Sequence, residues 1–176
     1  MTALYREVLP PGGRVLDLMG SWIAHLPPEI DYGEIIGHGM NEDELRANSR
    51  YHRWFVQDLN ESPSLALATG QVDAVVICVS VQYLQQPLAV FREIARVLKP
   101  GGPVVITFSN RCFPTKAVAI WQALASEQHQ RLVALYLERA GFVTVETRTL
   151  VDTDSEHDPL WAVIGRKAGG PAALPL

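Results

Sequence analysis

The sequence predicts an α/β protein whose mostly parallel sheet is covered by helices on both faces. Three observations carry that prediction. Short apolar runs alternate with helical patterns along the chain, as strand–helix units do. The run Asp73-Ala74-Val75-Val76-Ile77-Cys78-Val79 is apolar on both faces, which a central strand of a covered parallel sheet requires. Pro87 to Leu98 places Phe91, Ile94, Ala95 and Leu98 on one helical face, and Lys99-Pro100-Gly101-Gly102 stops that helix before the next apolar run.

The remaining elements follow in order. Arg14-Val15-Leu16-Asp17-Leu18 leaves a Pro-Pro-Gly-Gly turn and reads as a buried strand. Glu34 to Gly37 is a second short strand. A helix starts at Asn41, which can cap it, with Glu44 three residues on and an acidic first turn. Trp54 to Gln57 is a third strand ending at Asp58, and Pro103 to Phe108 is the strand after the Pro87 helix. A helical region is expected from about Lys116 to Ala140, broken near Ser126 and ended by Gly141. Phe142 to Leu150 and Leu160 to Arg166 form a closing pair of strands.

The 176 residues are enough for one domain, expected over 1–167, followed by a flexible Gly/Pro/Ala tail over 168–176. Lys and Arg total 15 against 19 Asp and Glu, a net charge of −4, which disfavours nucleic-acid and polybasic membrane binding. Apolar residues make up 48% and leave no case for general disorder. No apolar stretch approaches the roughly 20 residues of a membrane span, and no apolar leader stands at the N-terminus. Cys78 and Cys112 do not make a disulfide framework. The expectation is a cytoplasmic chain. The five histidines lack metal-ligand spacing, so no metal is expected.

In open parallel sheets ligands bind beyond the carboxyl ends of the strands, at the point where strand order reverses. Those ends read Asp17-Leu18-Met19-Gly20-Ser21, Gly37-His38-Gly39-Met40-Asn41, Gln57-Asp58-Leu59-Asn60 and Val79-Ser80-Val81-Gln82-Tyr83, with Arg96-Val97-Leu98-Lys99-Pro100-Gly101-Gly102 before the fifth strand. In order and spacing this series resembles the class I S-adenosylmethionine-dependent methyltransferases, in their small-molecule, type 11 branch, over roughly residues 12–167. The resemblance implies a three-layer Rossmann-like sandwich, a seven-stranded mostly parallel sheet with an antiparallel last strand, and S-adenosylmethionine as cofactor.

Residue by residue, the resemblance implies that Asp17 lies near the cofactor's amino-acid end, where a bland reading makes it a buried carboxylate bonding loop amides. The family's Gly-x-Gly after that acid is replaced here by Met19-Gly20-Ser21, so the loop is bulkier. Trp22 reads as core. At the second strand end Gly39 stands where the family carries a ribose-binding acid. Asn41 can bond a hydroxyl or cap its helix, Met40 can pack on adenine or in the core, and His38 reads as an exposed loop histidine. Asp58 and Leu59 match the adenine-binding pair, where a bland reading makes Asp58 a strand-ending residue that caps a turn, and Ser80 faces the sulfonium. Gln82 and Tyr83 are candidate contacts to the methyl acceptor, with Tyr83 alternatively a core residue. Asn110 and Arg111, in the polar exit from the fifth strand, are candidate substrate contacts; Arg111 can bind a carboxylate or phosphate, or simply lie on the surface. No residue is identified as catalytic, because methyl transfer depends on placement more than on acid–base groups.

The expected activity is methyl transfer to a small molecule. The alternative is a binding or scaffold relative with a degenerate cofactor loop. A nicotinamide enzyme ranks below both, because the run after the first strand lacks G-x-G-x-x-G. Thirteen residues precede Arg14, where relatives carry helices closing over the cofactor. That leaves an open site, or one capped by the Arg111–Trp121 segment, a homodimer mate or a partner chain.

Overall fold

The structure is a computed structural model that describes residues 1–169. Its elements are α1 (Thr2–Val8), β1 (Arg14–Leu18), β2 (Glu34–Gly39), α2 (Glu42–Ala47), β3 (Arg53–Val56), β4 (Ala74–Cys78), a 3-10 turn Val81–Tyr83, α3 (Pro87–Val97), β5 (Pro103–Ser109), α4 (Ala119–Ala123), α5 (Ser126–Arg139), β6 (Phe142–Val151) and β7 (Leu160–Lys167). The seven strands form one sheet in the order β3-β2-β1-β4-β5-β7-β6. β1 to β5 are parallel, and β7 is antiparallel to both its neighbours. Strand order therefore reverses between β1 and β4. The expected seven-stranded sandwich with an antiparallel last strand is the observed fold.

Alternating side chains of each buried strand feed two cores. Leu16, Leu18, Val75, Ile77, Val104 and Ile106 face α3 and α5, whose Phe91, Ile94, Val133 and Leu137 pack on them. Val15, Ala74, Val76 and Val105 face the other way, onto Leu4, Tyr5 and Leu9 of the N-terminal segment and Leu45 of α2. The two layers are unequal. No helix joins β1 to β2; residues 19–33 cross that face as irregular chain, anchored by buried Leu26 and Tyr32. The helical pattern around α4 and α5 splits at Leu124-Ala125, close to the expected break. The sequence pattern shows no element before Arg14, yet Thr2–Val8 is helical and plugs the sheet with Leu4 and Tyr5.

Local chemistry explains the placement. The Asn41 side chain accepts from the amides of Asp43 and Glu44 at 3.0 and 3.3 Å, satisfying free donors at the start of α2. Asp73 fixes β4 to its neighbours, accepting from the Arg14 amide at 2.8 Å and pairing with Lys99 at 2.6 Å. Positions 170–176, most of the expected tail, lie outside the described residues.

Phe91 is fully buried and stacks on Tyr136 with ring centroids 6.2 Å apart. Phe91→Ala removes that contact and leaves a cavity, an expected loss of about 3–5 kcal/mol. Denaturant unfolding checks it: the midpoint falls at constant slope.

Candidate functional site

The switch point lies between the carboxyl ends of β1 and β4, and both ends carry a residue in the left-handed region. Met19 has φ 59° and Val79 φ 46°. For a β-branched residue such as Val79 this is costly backbone, and such strain concentrates at ligand sites. Met19 adopts the conformation that a glycine would take there without cost.

The chain after β1 is held closely against β2. The Gly20 amide donates to the His38 carbonyl at 2.7 Å, and the Met19 amide donates to His38 Nδ1 at 3.1 Å. Asn48, buried at the end of α2, donates from its side chain to the Ser21 carbonyl at 2.8 Å. Beneath this turn lies Asp17, 3% exposed, whose Oδ2 accepts from the Tyr51 hydroxyl at 2.8 Å. The Tyr51 ring lies where side chains at Gly20 and Gly37 would be; a Cβ at either would collide with it. Burial pushes the Asp17 carboxyl up to about 7, and the Tyr51 hydrogen bond only partly offsets this. Burial and the neighbouring carboxylate together push Tyr51 far above the usual phenol range.

His38 is 1% exposed, not the loop histidine expected from sequence. β2 runs on to Gly39, so His38 points into the sheet layer and packs edge-on against Phe55, 5.0 Å between centroids. Burial holds it near 4, so it is neutral and free to accept from Met19. Trp22 reverses the expectation in the other sense: it is 56% exposed, because no helix follows β1 to carry it inward.

Of the other residues picked from sequence, Asp58 lies half-buried just beyond β3. One of its oxygens accepts from the Asn60 amide at 2.8 Å, and the other meets no donor among the described residues. Leu59 is buried beside it, and Met40 is exposed at the end of β2. The Asn41 side chain is spent on the α2 cap. At Gly39 a Cβ would stand 2.7 Å from the Gly20 carbonyl oxygen, so a carboxylate cannot occupy the position the family uses. After β4, Ser80 and Gln82 are buried, and Ser80 Oγ and Gln82 Oε1 have no protein partner among the described residues. Gln82 Nε2 donates to the Val79 carbonyl at 2.9 Å, and the Gln82 backbone carbonyl accepts from the Val118 amide. The Tyr83 hydroxyl accepts from the Phe113 amide at 3.0 Å, which brings the chain after β5 across the turn. Asn110 is exposed. Arg111 pairs with Asp158 at 2.9 Å on the surface.

The structure thus brings Asp17, Met19, Gly20, Gly39, Met40, Asp58, Leu59, Ser80, Gln82 and Tyr83 to one edge, with Arg111 turned toward the β6–β7 connection. Sequence reading missed Tyr51 and Asn48, which sit in an unpatterned connection. The glycine at 37, in a strand otherwise apolar, was the one available sign that a large ring lies over β2. A groove of about 540 Å³ between α5 and β6, lined by Glu127, Arg131, Leu135 and Val145 among others, is the larger concavity. It lies away from the carboxyl ends of the parallel strands. Among the described residues no cluster of three metal-ligating side chains occurs, and no helix is long and apolar enough to cross a membrane.

Comparison with known proteins agrees with this fold. Residues 20–106 match the family model of a methyltransferase domain, type 11. No curated protein matches the sequence. Among solved structures, the fold is similar to a chain of the complex between the Haloferax volcanii Trm112 methyltransferase activator and a methyltransferase: TM-score 0.72, 18% identity, 95% of this chain and 89% of that one. It is also similar to the [4+2]-cyclase SpnF, with TM-score 0.69 and 17% identity over 96% and 81% of the two chains. A third similar structure is an S-adenosylmethionine-dependent methyltransferase from Aquifex aeolicus, with TM-score 0.68 and 18% identity over 94% and 88%.

The closed approach at Gly39 predicts that restoring an acid there fails. Gly39→Asp is expected to cost about 1–3 kcal/mol through overpacking against Gly20, read as a lower thermal midpoint. A variant as stable as the parent contradicts the geometry.

Proposed function

We propose that the chain is a class I S-adenosylmethionine-dependent methyltransferase of the type 11 branch, and that it transfers a methyl group from S-adenosylmethionine to a small-molecule acceptor. The observation that carries the proposal is the set of unsatisfied acceptors along the carboxyl edge: the second oxygen of Asp58, Ser80 Oγ and Gln82 Oε1. The last two are buried, and buried polar atoms ordinarily find partners, so an edge that leaves several open is built for a ligand.

The residues fit the cofactor at its adenosine side. Asp58 can accept from the adenine amino group, and Leu59 and exposed Met40 offer apolar contact to the ring. At the amino-acid end Met19, Gly20 and Ser21 would stand in the place of the glycine-rich turn, with the Met19 and Gly20 amides already donated to His38. The ribose has no carboxylate acceptor, since Gly39 stands where the family has one. When bound, S-adenosylmethionine supplies an electrophilic methyl on a sulfonium. The protein then has to hold the acceptor in line with that methyl, which needs positioned groups and excluded water more than a proton-transfer residue. Ser80 and Gln82 would line the methyl-transfer side of the bound cofactor, and Tyr83, with the chain at Phe113 laid on it, would line the acceptor side.

A second reading has one observation in its favour. The ribose position is sterically closed to an acid, as in a relative that has left methyl transfer while keeping the fold. The similarity to a chain from an activator complex adds that a partner chain could complete the edge.

Calorimetry separates the readings. S-adenosylmethionine and S-adenosylhomocysteine are expected to bind at micromolar concentration, with NADH as the inactive control. Asp58→Ala is expected to lose about 1.5–3 kcal/mol of binding, the value of a charge-assisted hydrogen bond. Unchanged affinity in that variant removes Asp58 from the site; no binding to the parent protein supports the second reading.

A further inference from the structure

We propose that Tyr51 is a positioning residue of the cofactor site: its hydroxyl holds Asp17 under the Gly20 turn, so that binding of the ammonium group of a zwitterionic amino-acid end to that turn depends on the ionisation of Asp17. The inference rests on the reading of residues 19–21 as the seat of the cofactor's amino-acid end.

Several observations converge on Tyr51. It comes from the connection between α2 and β3, yet its ring fills the space over β2 and β1 that glycines at 37 and 20 leave open. Among the described residues its hydroxyl makes the one side-chain hydrogen bond that reaches Asp17. The carboxyl sits directly beneath the turn: a Cβ on Gly20 would lie 3.2 Å from Asp17 Cγ and Oδ2. The turn itself has no following helix, so it lacks the amide cluster and helix dipole that ordinarily hold an anionic ligand group. In this chain the buried carboxyl below it is the nearest source of negative charge.

No cation among the described residues faces that carboxyl. Tyr51 meets it from the α2–β3 connection, the Tyr5 phenol from α1 and the Cys78 thiol from β4; the Met1 amino group stands near Cys78. Burial pushes Cys78 up to about 11 and Tyr5 well above its usual range, so both are neutral at pH 7. Asp17, raised to about 7, is half ionised there. A ligand cation on the turn favours the charged carboxylate. Affinity is therefore full above pH 7, where Asp17 has already lost its proton, and falls as pH drops below 7, where binding must displace one. Removing the Tyr51 hydroxyl removes the hydrogen bond that stabilises the carboxylate, which raises the Asp17 midpoint and moves the fall in affinity to higher pH.

The test is S-adenosylhomocysteine binding by calorimetry from pH 5.5 to 9 on the parent chain, Tyr51→Phe and Asp17→Asn, with thermal midpoints to confirm folding. The parent is expected to weaken up to about tenfold per pH unit below 7. Tyr51→Phe, which keeps the ring, is expected to show the same plateau with its midpoint about one pH unit higher. Asp17→Asn is expected to lose this pH dependence. A Tyr51→Phe profile superimposable on the parent overturns the proposal, as does a pH profile that survives in Asp17→Asn. Titration of the ¹³C-labelled Asp17 carboxyl in the ligand-free protein provides an independent readout: an upward shift in Tyr51→Phe supports the hold on Asp17, and no shift overturns it. Absence of binding to the parent at every pH instead overturns the reading of the cofactor site, while the ligand-free titration still decides whether Tyr51 holds Asp17.

Discussion

The hydrogen bond from Tyr51 to Asp17 is the interaction on which the site's architecture depends. A carboxyl buried at the end of a central strand has to be satisfied, because the cost of an unpartnered buried acid runs to several kcal/mol. Here a phenol from a distant connection satisfies it, and the ring that carries the phenol requires glycine at 20 and at 37. With Gly20 in place, the turn after β1 can bond to the end of β2 through His38, and β2 can run on to Gly39. The close contact of Gly39 with Gly20 then excludes an acid at position 39. One buried pair thus accounts for the small residues on β2 and for the unusual shape of the first turn.

The face that carries Tyr51 is also the thinner one. A methyltransferase-like sheet needs both faces covered, and this chain covers one of them with a seven-residue helix, a six-residue helix and irregular chain. Leu26, Tyr32, Tyr5 and Tyr51 supply the buried area that a long helix would supply elsewhere. Tyrosines suit such a position, because each brings a large apolar ring together with a polar end that has to be placed.

Much of the fold was legible in the sequence because its signals are periodic. The two-face apolar run of β4, the amphipathic α3 and the Asn41 cap each follow from local pattern, and all three stand where expected. The closing pair of strands was legible for the same reason. Trp22 and His38 were misread because their burial is decided by neighbours remote in sequence: the missing helix after β1 leaves Trp22 outside, and the extension of β2 carries His38 inside. The short α1 gave too little periodicity to register. At the candidate site, Asp58, Ser80 and Gln82 were visible as residues within a few positions of strand ends. Tyr51 and Asn48 were invisible because their partners, Asp17 and Ser21, lie 34 and 27 residues away in the chain, and no local pattern encodes such a contact.

Whether the carboxyl edge, with its altered turn, is a working cofactor site is tested most directly by mapping backbone amide signals by NMR as S-adenosylhomocysteine is added. The perturbed amides are expected to gather at Met19–Ser21, Met40, Asp58–Asn60 and Ser80–Tyr83, the four strand exits that surround the switch point. Perturbations concentrated instead along the groove between α5 and β6, or none at saturating ligand, would contradict a cofactor site at this edge.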